Sequence, residues 1–226
     1  MKLPREVPVL TLANATLFPQ ALLPLHIFEP RYRRMLADSL KSHRMLTVAM
    51  QKRGAKRETP VAVAGLGLIR AAVKHPDGTS HLILQGLVRV KLVGPAVCYR
   101  PYRVHCISPL QDAPADNAVL LPLVANVREL VVKCFQMGMP PSFPIIPPPP
   151  GNGPETSPPL AREILDYLDR LASPEQVADL VSCAVLTGAN ERQTILETVN
   201  VEARLRQLIK FLRADMARRQ KGKVIQ

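Results

Sequence analysis

Tryptophan is absent from this chain, aromatic residues make up only 4% of it, and its four cysteines are scattered without a C-x-x-C pair. A core therefore has to rest on Leu, Val, Ile and Ala, and aromatic platforms for stacking nucleobases are scarce. Cys98, Cys106, Cys134 and Cys183 read as free thiols of a reduced, cytoplasmic protein. Nowhere do about 18 apolar residues follow one another, so no transmembrane helix and no membrane partner are expected. The opening MKLPREVPVLTL is broken by Pro4, Arg5, Glu6 and Pro8, which leaves no signal-peptide h-region.

Motifs for chemistry are also missing. No G-x-x-x-x-G-K-[ST] run offers backbone N–H groups to a nucleotide phosphate, and Gly65-Leu66-Gly67 sits inside a strand pattern without completing G-x-G-x-x-G. No serine lies in G-x-S-x-G. His105 and Cys106 are neighbours on a strand, where successive side chains point to opposite faces, so they are badly placed as base and nucleophile. Cys98, His105 and Cys106 lack a fourth zinc ligand, and His26-x-x-Glu29 straddles a helix start without a third. No catalytic residue, cofactor site or metal site is expected.

What is present is substantial: 226 residues, 47% of them apolar, and a formal net charge of +12. That length accommodates one large domain or two modest ones with real cores. The charge favours acidic partners, among them nucleic acid, anionic membrane and acidic polypeptide, without choosing between them.

Residues 7 to about 110 carry strand periodicity: VPVLTL, MLTVAM, AVAGLGLIRAAVKH, SHLILQGLVRVKLV and YRVHCISPL. Pro8 near the start of the first run argues for an edge strand. Gly86 interrupts the fourth run as a bulge or bend, and Asp77-Gly78 in HPDGTS marks a hairpin turn that needs positive φ. One helix interrupts the series. After Pro30, the residues Tyr32, Met35, Leu36 and Leu40 fall on one helical face, with Glu29 at the positive end of the dipole and Arg31, Arg33 and Arg34 turned mostly away.

The second half reads as helical from Asn117, with Pro122 marking the first turn. Residues 140–160 are so rich in proline that neither helix nor sheet is compatible with them; a loop or linker is expected, with a ligand for a proline-binding domain as the alternative. Beyond it, Ile164, Leu165, Leu168 and Leu171 form an apolar stripe. Ser173-Pro174-Glu175-Gln176 reads as a capping box, opening a helix through Val177, Leu180, Val181, Ala184 and Val185 that Gly188 stops. Asn190 and Asn200 are candidate caps of two further helices, the last with a core face of Val201, Leu205, Leu208, Ile209, Leu212 and Met216. The basic end RRQKGKVIQ reads as a solvated tail, a nucleic-acid-binding tail being the alternative. The fold class is α+β with segregated elements: residues 1–115 β-rich, 116–220 helical, 221–226 a tail.

These residues resemble a family. Phe18-Pro19, Pro24-Leu25 and Ile27-Phe28-Glu29-Pro30-Arg31-Tyr32 match, in order, the opening signature of the Lon protease N-terminal domain. Gly65, Gly67, Asp77-Gly78, Gly86 and Arg89 match its strand and turn positions, and Gln193, Leu196, Glu197, Arg204, Leu205 and Leu208 its helical half. The resemblance covers nearly the whole chain except the proline-rich stretch and the tail. It implies a PUA-like β-barrel followed by a helical bundle. It also implies a non-catalytic role in protein quality control, binding unfolded polypeptide or a protein partner.

In full Lon proteases an ATPase module and a serine–lysine peptidase domain follow, and this sequence reaches Gln226 without either, so no ATP hydrolysis or proteolysis is expected of it. Ala13-Asn14-Ala15 departs from the family's pattern, which leaves substrate preference open. Phe28, Glu29, Arg31 and Tyr32 are expected to anchor the helix on the barrel, with Glu29 or Arg31 held by a partner inside the fold. The alternative function is RNA binding through the basic surface of a PUA-like module. The sequence leaves the oligomeric state open.

Overall fold

Five short apolar runs and one unforeseen one assemble into a single six-stranded sheet. The computed structural model describes residues 2–55, 58–111, 116–138, 166, 168, 170, 171 and 173–223. The chain divides into two compact units, Met1–Asp112 and Ala113–Gln226.

The first unit contains β1 (Glu6–Leu12), β2 (Leu22–Ile27), α1 (Pro30–Leu40), β3 (Met45–Met50), β4 (Val63–Lys74), β5 (Ser80–Pro95) and β6 (Arg103–Pro109). The strand order is β2-β5-β4-β3-β1-β6, and β6 also pairs with β5, so the ladder returns on itself and only β2 stands outside the circuit. All pairings are antiparallel except β1 with β3. β3 is buried along its whole length, as befits a strand covered on both faces. Val7, Val9, Met45, Ala49, Ala64, Leu66, Val90 and Leu92 fill one side of the sheet. Leu10, Leu17, Leu46, Val48, Ile69, Leu82 and Leu84 pack on the other, under Tyr32, Met35 and Leu36 of α1. Burying each of those three helix residues contributes about 2 kcal/mol.

β1 is an interior strand, which corrects the edge reading of Pro8. The Ile107 N–H donates to the Arg5 carbonyl, so hydrogen-bonded pairs against β6 fall at Arg5, Val7 and Val9, and Pro8↔Val104 is a pair without hydrogen bonds. The β3 register begins only at Val9↔Thr47. The N–H that Pro8 lacks is therefore asked for on neither side. The β4–β5 hairpin does use Asp77-Gly78: Gly78 N–H donates to the His75 carbonyl and His75 N–H to the Thr79 carbonyl. Gly78 alone takes positive φ, at 82°, while Asp77 Oδ1 accepts from the Thr79 N–H at 2.9 Å and from its hydroxyl. That is a type I turn closed by a left-handed glycine.

The second unit contains α2 (Asn117–Gln136), α3 (Pro174–Ala184), α4 (Ala189–Glu197) and α5 (Val201–Lys223). α2 packs along α5, and α3 packs against both. Asp116 caps α2 by accepting the Ala118 N–H at 2.9 Å. Because the helix starts at Asn117, Pro122 lies past the first turn, inside the helix. Asn200 caps α5 through Oδ1 on the Ala203 N–H at 2.9 Å, a contribution of about 1 kcal/mol. The core face of α5 is buried from Val201 to Leu212, and Met216 is only half-buried.

Two further expectations are overturned. Ser173 precedes α3 as its N-cap residue but makes no capping hydrogen bond, its hydroxyl bonding the neighbouring Glu175 carboxylate instead; with Glu175 that close, no reciprocal box with Gln176 forms. α3 ends at Ala184, and Gly188 is the N-cap of α4 rather than the stop of α3, which displaces Asn190 from the capping position. Of the stripe before α3, Leu168 is helical and fully buried. Ile164, Leu165, the proline-rich residues 140–160 and residues 224–226 lie outside the described residues.

Candidate functional site

The segment that precedes β2 is threaded by the glycines of the family pattern. Leu17 and Phe18 cross the sheet so closely that a Cβ on Gly65 would stand 1.9 Å from the Leu17 carbonyl oxygen, and one on Gly86 1.9 Å from that of Phe18. At Gly67 the obstruction would be the Leu84 and Leu17 side chains. Two 2.8 Å hydrogen bonds, Gln20 N–H to the Gly86 carbonyl and Gly86 N–H to the Ala21 carbonyl, fasten the crossing. Pro19 then occupies the second position of a turn in which the Ala21 N–H donates to the Phe18 carbonyl and Gln20 takes φ 65°, the type II arrangement. Phe18 is fully buried, and the buried Arg89 guanidinium lies 6.0 Å over its ring.

β2 was not legible as a strand, and it places Pro24 and His26. It is the edge of the sheet, with residues Leu23, Leu25 and Ile27 bonded toward β5 by the alternation that starts at Ala21 and Gly86. Pro24 therefore turns its missing donor toward the free edge, which blunts that edge against another strand. On the outer face Leu22, Pro24 and His26 stand beside Gln85, Ile83 and His81, and Ile83 and His81 beside Ala71 and Val73. Leu22, Phe28 and Val73 are each more than half exposed there. His26 stacks at 4.7 Å on His81 and at 5.8 Å on Phe28, and His75 Nε2 lies 2.8 Å from His81 Nδ1. The result is an aromatic and aliphatic face around the hairpin that carries Asp77 and Gly78. Phe28, at 60% exposure, does not anchor α1.

Tyr32 does. It is buried, and its hydroxyl donates to Glu58 Oε1 at 2.8 Å and sits 3.4 Å from the Thr11 carbonyl. Burial and the Glu58 carboxylate together push its phenol up to about 12. Arg31 bonds Glu29 at 2.8 Å, bonds Glu58, and lies over the Tyr32 ring; hydrogen bonding to Glu58 comes first among the causes that raise its affinity for its proton. The partner expected for Glu29 or Arg31 exists, but the three charged side chains are 37%, 38% and 25% exposed, so this is not a buried pair. Arg31→Ala is accordingly expected to cost about 1 kcal/mol in urea denaturation, shrinking in high salt; a loss of several kcal/mol would contradict the exposed geometry.

Two cavities flank α1. One, of about 290 Å³, is lined by Asp38, His43, Cys98, Arg100 and Tyr102 among others. Asp38, His43 and Cys98 are residue types of a nucleophilic triad, yet no hydrogen bond links them among the described residues. Burial works against ionisation of Asp38, but the Tyr102 hydroxyl and the Arg34 and Arg100 guanidiniums outweigh it and hold the carboxyl below its usual range. His43 Nδ1 accepts the Met45 N–H, and burial lowers the affinity of the ring for a second proton. Burial pushes the Cys134 and Cys183 thiols up to about 11 and about 12, far from nucleophilic thiolates. Among the described residues no three His, Cys, Asp or Glu side chains converge as metal ligands, and no helix is long and apolar enough to cross a membrane. The second cavity, about 260 Å³, lies between α1 and the β4–β5 hairpin, with Leu36, Ala37, Leu40 and Ala72 as its apolar floor and Arg33 and Lys74 beside it.

Comparison with known proteins fits this frame. The sequence model of the ATP-dependent protease La (LON) substrate-binding domain matches residues 6–214. The chain is 24% identical over 217 residues to a Lon protease of Dictyoglomus thermophilum, covering 95% of itself and 25% of that protein. It is 25% identical over 216 residues to a Lon protease of Roseiflexus castenholzii, covering 94% and 24%. It thus spans about a quarter of the length of these relatives. The fold resembles the N-terminal domain of the Mycobacterium avium complex Lon protease, with a TM-score of 0.69 at 22% identity over 92% of this chain and 97% of that one. A Lon N-terminal domain protein from Xanthomonas campestris gives 0.60 at 19% identity, over 91% and 98%.

Proposed function

The chain belongs to the ATP-dependent protease La (LON) substrate-binding domain family, and from that premise we propose that it binds unfolded polypeptide without performing chemistry on it. The observation that carries this is the outer face of β2, β5 and β4, where Leu22, Phe28 and Val73 are exposed beside Pro24, the half-buried Ile83 and the stacked His26 and His81. Apolar side chains gathered on a solvent-facing sheet are what an unfolded segment, with its own apolar groups uncovered, binds by burial. In this reading the closed ladder is a PUA-like barrel and α2 to α5 a helical bundle, with the domain boundary near residue 115. The signature residues Phe18, Pro19, Gly65, Gly67, Gly86 and Arg89 build the crossing that presents β2. Protein quality control in the cytoplasm is the setting this role fits, with a protease as the partner class.

The test is binding to an unfolded, uncharged polypeptide at low and high salt, for the native chain and for Phe28→Asp. Affinity that survives high salt and falls about tenfold in the variant is the expected result. The net charge of +12 and the exposed Lys210 and Arg213 on α5 favour a second reading, RNA binding. Single-stranded RNA bound with a steep salt dependence, with polypeptide ignored, would put that reading first.

A further inference from the structure

The cavity between α1 and the β4–β5 hairpin joins two features that ask for one kind of ligand. Its floor is Leu36, Ala37, Leu40 and Ala72, and Gly78 and Ser80 close the hairpin side. Arg33 and Lys74 complete the lining among the described residues, none of which brings a carboxylate to it. Neither cation has an ion-pair partner among the described residues. Asp77, the acid of the same hairpin, accepts through Oδ1 from the Thr79 N–H and hydroxyl. Arg33 is carried across from the helix because position 78 is glycine: a Cβ there would meet the guanidinium Nη2 at 1.8 Å. An apolar floor beside two cations that no described carboxylate neutralises suits a ligand with an aliphatic body and an anionic group next to it.

We propose that this cavity binds the C-terminal residue of a polypeptide, an aliphatic side chain resting on the Leu36–Leu40 floor and the free carboxylate meeting Arg33 and Lys74. At about 260 Å³ it takes one side chain. Within a chain, the carboxylate would have to come from Asp or Glu and the apolar group from a second residue. Only at a chain end does a single Leu, Ile or Val supply both. The assignment rests on the polypeptide-binding reading and adds to it a preference for chain ends.

The test uses the full chain and a short, N-terminally labelled Gly-Ser peptide ending in leucine, as free acid and as amide, followed by fluorescence anisotropy. The free acid is expected to bind at least about tenfold more tightly than the amide. Arg33→Gln with Lys74→Gln is expected to erase that difference, and Ala37→Trp, a change at an exposed helix position, to weaken the acid by occluding the floor. Equal binding of acid and amide overturns the inference, as does equal weakening of both by the charge variants. Displacement of the peptide by octanoate as readily as by unlabelled peptide acid overturns it in favour of free carboxylic acids. If acid and amide bind alike while an unfolded, C-terminally blocked polypeptide still binds, this inference falls and the broader reading stands; if no polypeptide binds, both fall.

Discussion

Arg204→Ala is expected to destabilise the helical unit by about 3–5 kcal/mol. Arg204 sits on α5 with its side chain wholly buried, its Nη1 3.3 Å from the equally buried Asp179 of α3. Its other donors reach the end of α4: Nε to the Thr198 carbonyl at 2.9 Å and Nη2 to the Val199 carbonyl at 3.0 Å. One planar guanidinium thus serves α3, α5 and the α4–α5 connection, satisfying carbonyls that the end of α4 leaves open. Truncation removes those bonds together with a buried ion pair to Asp179, which is why the cost exceeds that of an exposed pair such as Arg206–Glu202. Urea denaturation followed by far-UV circular dichroism measures it. The double change Arg204→Met with Asp179→Leu should recover much of the loss, since replacing both partners removes the buried charge as well. A loss under about 1 kcal/mol for Arg204→Ala would mean that water reaches Asp179.

Arg204 stands within the family pattern, but nothing in the sequence marks it as buried. A lone arginine between Val201 and Leu205 on an amphipathic helix reads as solvated, and its burial depends on Asp179, 25 positions earlier. What local pattern controls was legible: the α1 face of Tyr32, Met35 and Leu36, the Gly78 hairpin, the Asn200 cap, and five of six strands. β2 escaped because LLPLHI holds a proline and apolar residues at nearly every position, so it shows no clean alternation. The candidate face escaped for a related reason. It exists only once register sets Pro24 beside Ile83 and Ile83 beside Ala71, and register is a property of three strands together. Ser173 and Gly188 misled because a cap is decided by competing partners, here Glu175, and by where the neighbouring helix starts.

Gly86→Ala is expected to cost about 3 kcal/mol, the upper end for an overpacked core, and Gly65→Ala as much. In both, the added carbon would meet a backbone carbonyl oxygen at 1.9 Å, and a carbonyl in a fastened crossing has no rotamer by which to withdraw. Relief requires lifting Leu17 and Phe18 off the sheet, which strains the two hydrogen bonds of Gly86 and uncovers the buried Phe18 ring. Gly67→Ala meets side-chain atoms of Leu84 and Leu17 instead, and a cost nearer about 1 kcal/mol is expected because those can partly repack. Gly94→Ala, with nothing within 4 Å of the new carbon, should change stability by less than about 0.5 kcal/mol. A thermal-denaturation series in this order separates close backbone approach from a general intolerance of alanine in strands; equal losses at positions 86 and 94 would refute the crossing as the cause. The same series reaches function, because the crossing launches β2 and β2 carries Leu22 and Pro24 onto the outer face. Gly86→Ala should therefore weaken polypeptide binding in protein that remains folded, whereas Gly94→Ala should leave it unchanged.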